Sequence, residues 1–252
     1  MTAVHAFSST DQLSQALDQY VEKLSAEAVA KHDRFTIAIS GGSLPKLLSA
    51  TLKHNPRIDF TKWQIFFVDE RCVPLDHEDS NYLEVKKQLL DALAEQIQPG
   101  SVHAINPSLS PEDAAEDYMD QLMHVFAAGD AVKFPVFDLI LLGMGPDGHT
   151  ASLFPGHELL GETIEWVSPI VDSPKPPKER ITLTLPVLNH AHHVAFVTAG
   201  EGKQDMVKKI IEQPELGLPC QLVHPSSGTA SWFIDTAAAG KLDPSRLSEF
   251  TQ

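Results

Sequence analysis

The chain has 252 residues, 42% hydrophobic and 21% charged, with a formal net charge of −15. Such a chain is globular and long enough to bury a sizeable core, which excludes a disordered or fibrous protein. The acidic balance argues against nucleic acid or an anionic membrane as partner, and an anionic small substrate would need a local cluster of cations and helix N-termini. No apolar stretch approaches membrane-spanning length. MTAVHAFSSTDQL has neither a basic flank nor an apolar core for export, so a cytoplasmic location is expected. Cys72 and Cys220 lie far apart without metal-type spacing, and read as reduced thiols.

In chain order, Leu13, Leu17, Tyr20, Val21, Leu24 and Ala28 repeat at helical spacing, which predicts a helix from Asp11 to about Lys31 capped by Ser9 or Thr10. Phe35 to Ile39 is a short apolar run, and the next helix opens at Leu44 with Pro45 near its first position. Further strand-like runs are Trp63 to Val68, Phe137 to Leu142, Trp166 to Val171, Ile181 to Leu185, Val194 to Thr198, Gln221 to Val223 and Trp232 to Ile234. Helical patterns fall at Asn81 to about Leu93, Pro111 to about Phe126 and Lys203 to about Glu212. Strands alternating with helices predict an α/β fold, and unalternated Val/Ile/Leu/Phe runs suit a largely parallel sheet with helices on both faces. Asp172 to Lys178 is too Pro-rich for a helix or sheet interior and reads as a surface loop. With no repeat or composition break, residues 1–252 are expected to form a single domain.

Three motifs and two cations carry candidate chemistry. Ser40-Gly41-Gly42-Ser43, between a strand and a helix, aims backbone N–H groups and a helix N-terminus into one turn. It can cradle a phosphate or be an ordinary turn capped by Ser43, and it lacks the lysine pattern of a nucleotide P-loop. Asp69-Glu70-Arg71 directly follows a strand, where α/β sheets place ligands. Asp69 could be a base or an orienting acceptor and Arg71 could steady an oxyanion or anion; a structural ion pair or helix cap is the competing reading.

Gly143-Met144-Gly145-Pro146-Asp147-Gly148 fits G-x-G-x-x-G, but Pro155-Gly156 leaves no room for the long helix that a dinucleotide site requires, and Asp147 would push a carboxylate into the pyrophosphate. The alternative is a turn presenting Asp147 and His149 at a strand end, a carboxylate supporting an imidazole base. Arg180 and Lys203, at probable element ends, could supply countercharge for a phosphate at 40–43. Three other candidates are weaker. His190, His192 and His193 read as a surface turn rather than a metal site, Cys72 has no histidine partner, and no Gly-x-Ser-x-Gly elbow exists.

Ser40–Ser43, Asp69-Glu70-Arg71, the block GMGPDGHTASLFPG at 143–156, Arg180-Ile-Thr-Leu-Thr and Gly202-Lys203 occur in this order and together resemble the 6-phosphogluconolactonase family. The likeness runs from about residue 35 to Trp232-Phe233-Ile234-Asp235, and the 143–156 block is its most specific part. The resemblance implies a Rossmann-like fold related to the glucosamine-6-phosphate deaminases and a hydrolase without metal or other cofactor, acting on the sugar-phosphate lactone of the pentose phosphate pathway. Carried over by position, His149 would be the base that activates water, with Asp147 and Arg71 beside it. Ser43, Arg180 and Lys203 would fall in the phosphate site, and Asp69 corresponds to a proton-transfer acid of the deaminases. Two alternatives remain: an amino-sugar-phosphate deaminase, which would carry an acid where Phe154 stands, and a non-catalytic sugar-phosphate-binding protein. No heptad or sticky strand demands a partner subunit, so a monomer is favoured.

Overall fold

The computed structural model describes residues 2–129 and 131–251. The elements run β1 (Ala3–Phe7), α1 (Thr10–His32), β2 (Phe35–Ile39), α2 (Leu44–Leu52), β3 (Trp63–Phe67), β4 (Asp69–Arg71), α3 (Asn81–Gln88) and α4 (Pro111–Phe126). They continue with β5 (Leu139–Leu142), β6 (Val167–Ile170), β7 (Arg180–Leu183), α5 (Leu185–Leu188), β8 (His193–Thr198), α6 (Gln204–Glu212), α7 (Pro219–Leu222) and β9 (Thr229–Asp235).

Six strands form a wholly parallel sheet in the order β1-β9-β8-β5-β2-β3. All five residues of β2 are buried, as its unalternated sequence requires of a strand covered on both faces. The pleat sorts the side chains. Ile37, Ile39, Leu139 and Leu141 pack with Leu13, Leu17, Val21 and Leu24 of α1 and Leu44, Leu48 and Leu52 of α2. Ala38, Phe66, Ile140 and Leu142 join Ala114, Tyr118 and Leu122 of α4 and Val207 and Ile210 of α6 on the other face. Helix α1 starts where Ser9 accepts a hydrogen bond from the Gln12 N–H and stops at Asp33, whose φ of 58° is left-handed.

Four local expectations change. Trp166–Val171 and Ile181–Leu185 supply β6 and β7, which leave the parallel sheet and pair antiparallel with β4 in a second, three-stranded sheet. Only residues 171–179 separate them, too few for the crossover that parallel pairing needs. Asp69–Arg71 is therefore a strand and not a loop. Val68 is the step between sheets: its N–H bonds Ile39 of the first and its carbonyl accepts from Leu183 of the second. Gln221–Val223 belongs mostly to the helical turn α7, which Pro219 opens. Finally, β1 has no counterpart in the sequence reading; it is a half-buried edge strand paired to β9, and its apolar pattern is too short to stand out.

Along the sheet, connections from β2 run one way to β3 and those from β5 run the other way to β8 and β9. The neighbours β2 and β5 thus form the switch point where an open α/β sheet leaves a crevice at its carboxyl edge. Ser40–Ser43 follows β2, and Gly143–His149 follows β5.

Candidate active site

A cavity of about 160 Å³ opens at this edge, and Ser40, Gly41, Gly42, Ser43, Asp69, Arg71, His149, Arg180 and Lys203 all line it. Asp147, the remaining expected residue, stands behind His149 and holds its ring.

The turn after β5 answers what the motif glycines do. Gly145 N–H donates to the His149 carbonyl (2.8 Å) and Gly148 N–H to the Gly145 carbonyl (3.0 Å), which folds the segment back on itself. A Cβ on Gly145 would lie 2.0 Å from both Cε1 and Nδ1 of His149, so the second motif glycine is there to admit the imidazole. Gly148 has φ +82°, a backbone that side chains resist. After it Ala151 has φ 50° and no helix follows, so the segment has no helix N-terminus for a pyrophosphate.

His149 Nδ1 meets the Asp147 carboxylate in a short hydrogen bond, while its ring packs on Phe154 with centroids 4.6 Å apart. Nδ1–H donation to Asp147 fixes the tautomer and leaves the Nε2 lone pair as the basic position. Burial pushes the His149 pKa down, outweighing the hydrogen bond and charge of Asp147, which pull it up; the ring is therefore a neutral base near pH 7. Burial raises the Asp147 pKa, but its bonds to His149 more than reverse this and hold it below the ordinary carboxylate value.

Strand alternation divides the Asp-Glu-Arg run. Asp69 and Arg71 face the cavity, while Glu70 points away to the start of α3. There the buried Glu70 carboxylate accepts from the N–H groups of Arg71 (2.8 Å), Asn81 (2.8 Å) and Tyr82 (2.7 Å) and from Ser80 Oγ (3.2 Å). The helix-capping acid foreseen in this run is Glu70. Asp69 accepts from Ser152 Oγ (2.7 Å), which in turn accepts from Arg180 Nη1 (3.3 Å).

The three cations differ. Arg180 is 3% exposed; its Nε donates to the Pro177 carbonyl (3.0 Å) and its Nη2 to the carbonyls of Lys175 (3.0 Å) and Pro176 (3.1 Å). Together with Ser152 these take four of its five N–H groups, so Arg180 serves mainly to pin the Pro-rich loop. Arg71 is freer: Nη1 donates to the Asp79 carbonyl, and Nε is buried without a partner among the described residues. Lys203 Nζ donates to the Met144 carbonyl (2.8 Å), and burial lowers its pKa.

Opposite lies the Ser40–Ser43 turn. Gly41 admits Asn81, whose Oδ1 would sit 1.9 Å from a Cβ there, and Gly42 has φ +73°. Ser43 precedes α2 but makes no capping hydrogen bond, so its hydroxyl is available. Among the described residues, the N–H groups of Gly41, Gly42, Ser43 and Leu44 find no protein acceptor. A turn of unpaired donors at a helix N-terminus favours an anion.

Nothing in the local sequence marks Asn81, Ser152 or Lys175 as site residues. Ser152 lies inside the 143–156 block, so only the block's length signalled it. Lys175 was hidden in a loop read as surface, yet its Nζ lies 3.3 Å from His149 Nδ1 and 3.4 Å from Asp147 Oδ1. Cys72 is no thiolate, because burial pushes its pKa up to about 11. His190 bonds the Pro186 carbonyl and His193 bonds Thr229 Oγ1, and among the described residues no three His, Cys, Asp or Glu side chains are grouped to hold a metal. Nor is any described helix long and apolar enough to cross a membrane.

The same arrangement of elements is found in known proteins. The chain is 48% identical to a probable 6-phosphogluconolactonase of Schizosaccharomyces pombe, over 99% of this chain and all of that one. It is 47% identical to the 6-phosphogluconolactonase of Rattus norvegicus, over 94% and 92% of the two chains. The solved 6-phosphogluconolactonase of Trypanosoma cruzi superposes with a TM-score of 0.83 at 27% identity, over 96% of this chain and 97% of that one. The model of the glucosamine-6-phosphate isomerases/6-phosphogluconolactonase family matches residues 8–232, and the chain belongs to that family.

Proposed function

We propose that this chain, folded as one domain, hydrolyses 6-phospho-D-glucono-1,5-lactone to 6-phosphogluconate, with His149 as general base. The observation that carries the reading is the Asp147–His149 pair at the switch-point crevice, facing an unpaired donor turn across the same cavity. The names of the relatives support the same activity.

The substrate's phosphate is dianionic and suits the unpaired Gly41–Leu44 N–H groups, the Ser43 hydroxyl and the cation Lys203, which leaves Arg71 for the carbonyl end. Anchored there, the lactone presents its carbonyl carbon to a water held by His149 Nε2. The imidazole takes a proton from water as its oxygen bonds the carbonyl carbon, and Asp147 supports the imidazolium. The tetrahedral oxyanion is stabilised by donors beside Arg71. It collapses with cleavage of the bond to the ring oxygen, which receives the proton from His149 as it leaves. The products are a carboxylic acid and a free hydroxyl, and the base is regenerated. A strained cyclic ester has a modest barrier, so positioning and one base suffice without a covalent intermediate.

The deaminase alternative lacks support, since the buried Phe154 ring packs on His149 where the resemblance would require an acid. The test feeds freshly made lactone to purified protein and follows acid release against the spontaneous rate, with ammonia release from glucosamine 6-phosphate as the parallel assay. Acceleration of the first and no ammonia from the second are expected. His149→Ala should lose about 10²- to 10⁴-fold in kcat with KM little changed; no acceleration by the parent protein, or normal turnover in the variant, overturns the reading.

A further inference from the structure

Lys175 is a cation held where the chemistry above gives it no task. We propose that Lys175 is a positioning residue for the base: the Pro-rich loop, pinned by Arg180, fixes an ammonium beside the Asp147–His149 pair and thereby disfavours the imidazolium. The inference rests on His149 being the base of the proposed hydrolysis.

The loop is built to hold this one side chain. Ser173 Oγ donates to the Lys175 carbonyl (2.7 Å) and accepts from its N–H (3.2 Å), closing a tight local ring. Ser173 N–H donates to the Lys178 carbonyl (3.2 Å), joining the loop's two ends. Arg180 then grips the carbonyls of Lys175, Pro176 and Pro177 from below, at 3.0–3.1 Å. A buried arginine committed to three consecutive carbonyls of one loop makes that loop a fixed element, so Lys175 Nζ has a defined place.

That place is 3.3 Å from His149 Nδ1 and 3.4 Å from Asp147 Oδ1. Because Nδ1–H points at Asp147, the ammonium competes with the ring for the carboxylate and repels a second positive charge on the imidazole. Other charged groups bear on His149 from every side. Asp147 on its own turn and Asp69 on β4 favour the imidazolium. Arg71 on β4, Lys203 after β8 and Arg180 on β7, the last with its guanidinium over the Phe154 ring at 5.6 Å from the centroid, add positive charge around the cavity. Buried Cys220 donates only to the His149 carbonyl. Among the described residues, Lys175 alone of the cations reaches the Asp147–His149 bond itself. Its presence keeps the base free of a proton at lower pH and makes the transient imidazolium a better acid toward the departing ring oxygen.

The experiment is a titration of His149 by ring-nitrogen NMR in the whole protein, comparing the parent with Lys175→Met and Lys175→Arg, alongside the pH profile of lactone hydrolysis. Lys175→Met should raise the His149 midpoint by about one unit, the shift a unit charge at this separation produces at the dielectric of water. Lys175→Arg should restore it, and the acid limb of kcat/KM should follow the midpoint. A midpoint that stays put in Lys175→Met, with the fold intact by circular dichroism, overturns the proposal. If the midpoint moves and the activity limb does not, the tuning by Lys175 stands and His149 is not the base.

Discussion

Replacing Gly145 with alanine tests the central geometric claim, that the motif glycine makes room for a catalytic imidazole. The new Cβ would sit 2.0 Å from Cε1 and Nδ1 of His149 and 2.8 Å from Asp147 Oδ1, whereas ordinary contact begins at 3.4 Å. The ring or the turn must therefore give by about 1.4 Å (3.4 less 2.0). Neither moves freely: the Gly145 N–H is bonded to the His149 carbonyl, and the ring is held by Asp147 and Phe154. A misplacement of about 1 Å costs on the order of 10²-fold in rate, and overpacking costs roughly 1–3 kcal/mol in stability. Initial rates with fresh lactone, corrected for spontaneous hydrolysis, should fall by about that factor. The thermal midpoint should fall as well. At Gly143 an added methyl meets no atom within 4 Å, so Gly143→Ala should leave the thermal midpoint unchanged. Full activity in Gly145→Ala, or equal loss of stability in both variants, would refute the reasoning.

Three further outcomes follow from the electrostatics and the capping network. With His149 as the proposed base the neutral imidazole is the active form, and burial lowers its pKa, so kcat/KM should hold as pH falls through 6.5 and decline only below it. Asp147→Asn removes the groups that raise that pKa, so the limb should shift further down while kcat drops by on the order of 10²-fold; an upward shift contradicts the assignment. Glu70→Gln sets an amide against three backbone N–H donors and should cost about 1–3 kcal/mol, which scanning calorimetry would read at about 2–4 °C per kcal/mol. An unchanged midpoint would mean that Glu70 does not hold α3.

The residues that line the cavity were legible because most of them lie in short contiguous runs. A strand followed by Ser-Gly-Gly-Ser, and another followed by Gly-Met-Gly-Pro-Asp-Gly-His, place their side chains at strand ends by local rules alone, and both runs line one cavity. The parallel sheet was equally readable, since strands buried on both faces leave unalternated apolar runs. The antiparallel sheet was readable in principle: nine residues between Ile170 and Arg180 cannot carry a crossover, though the apolar runs look alike in either sheet.

What the sequence could not decide was how each charge would be used. Arg180 and Lys203 are both cations at strand or helix ends and both line the crevice, and only packing shows that carbonyls of the Pro-rich loop take most of the Arg180 donors while Lys203 is held by the Met144 carbonyl. Glu70 and Asp69 are adjacent acids, and the pleat assigns one to a helix and the other to the site. Lys175 lies 26 residues from His149 in the chain and 3.3 Å from it in space. Sequence fixes residue type and local geometry, because these depend on neighbours a few positions away. Partnership between distant side chains depends on which loops the sheet order brings to one edge, and that is settled only when the whole core packs.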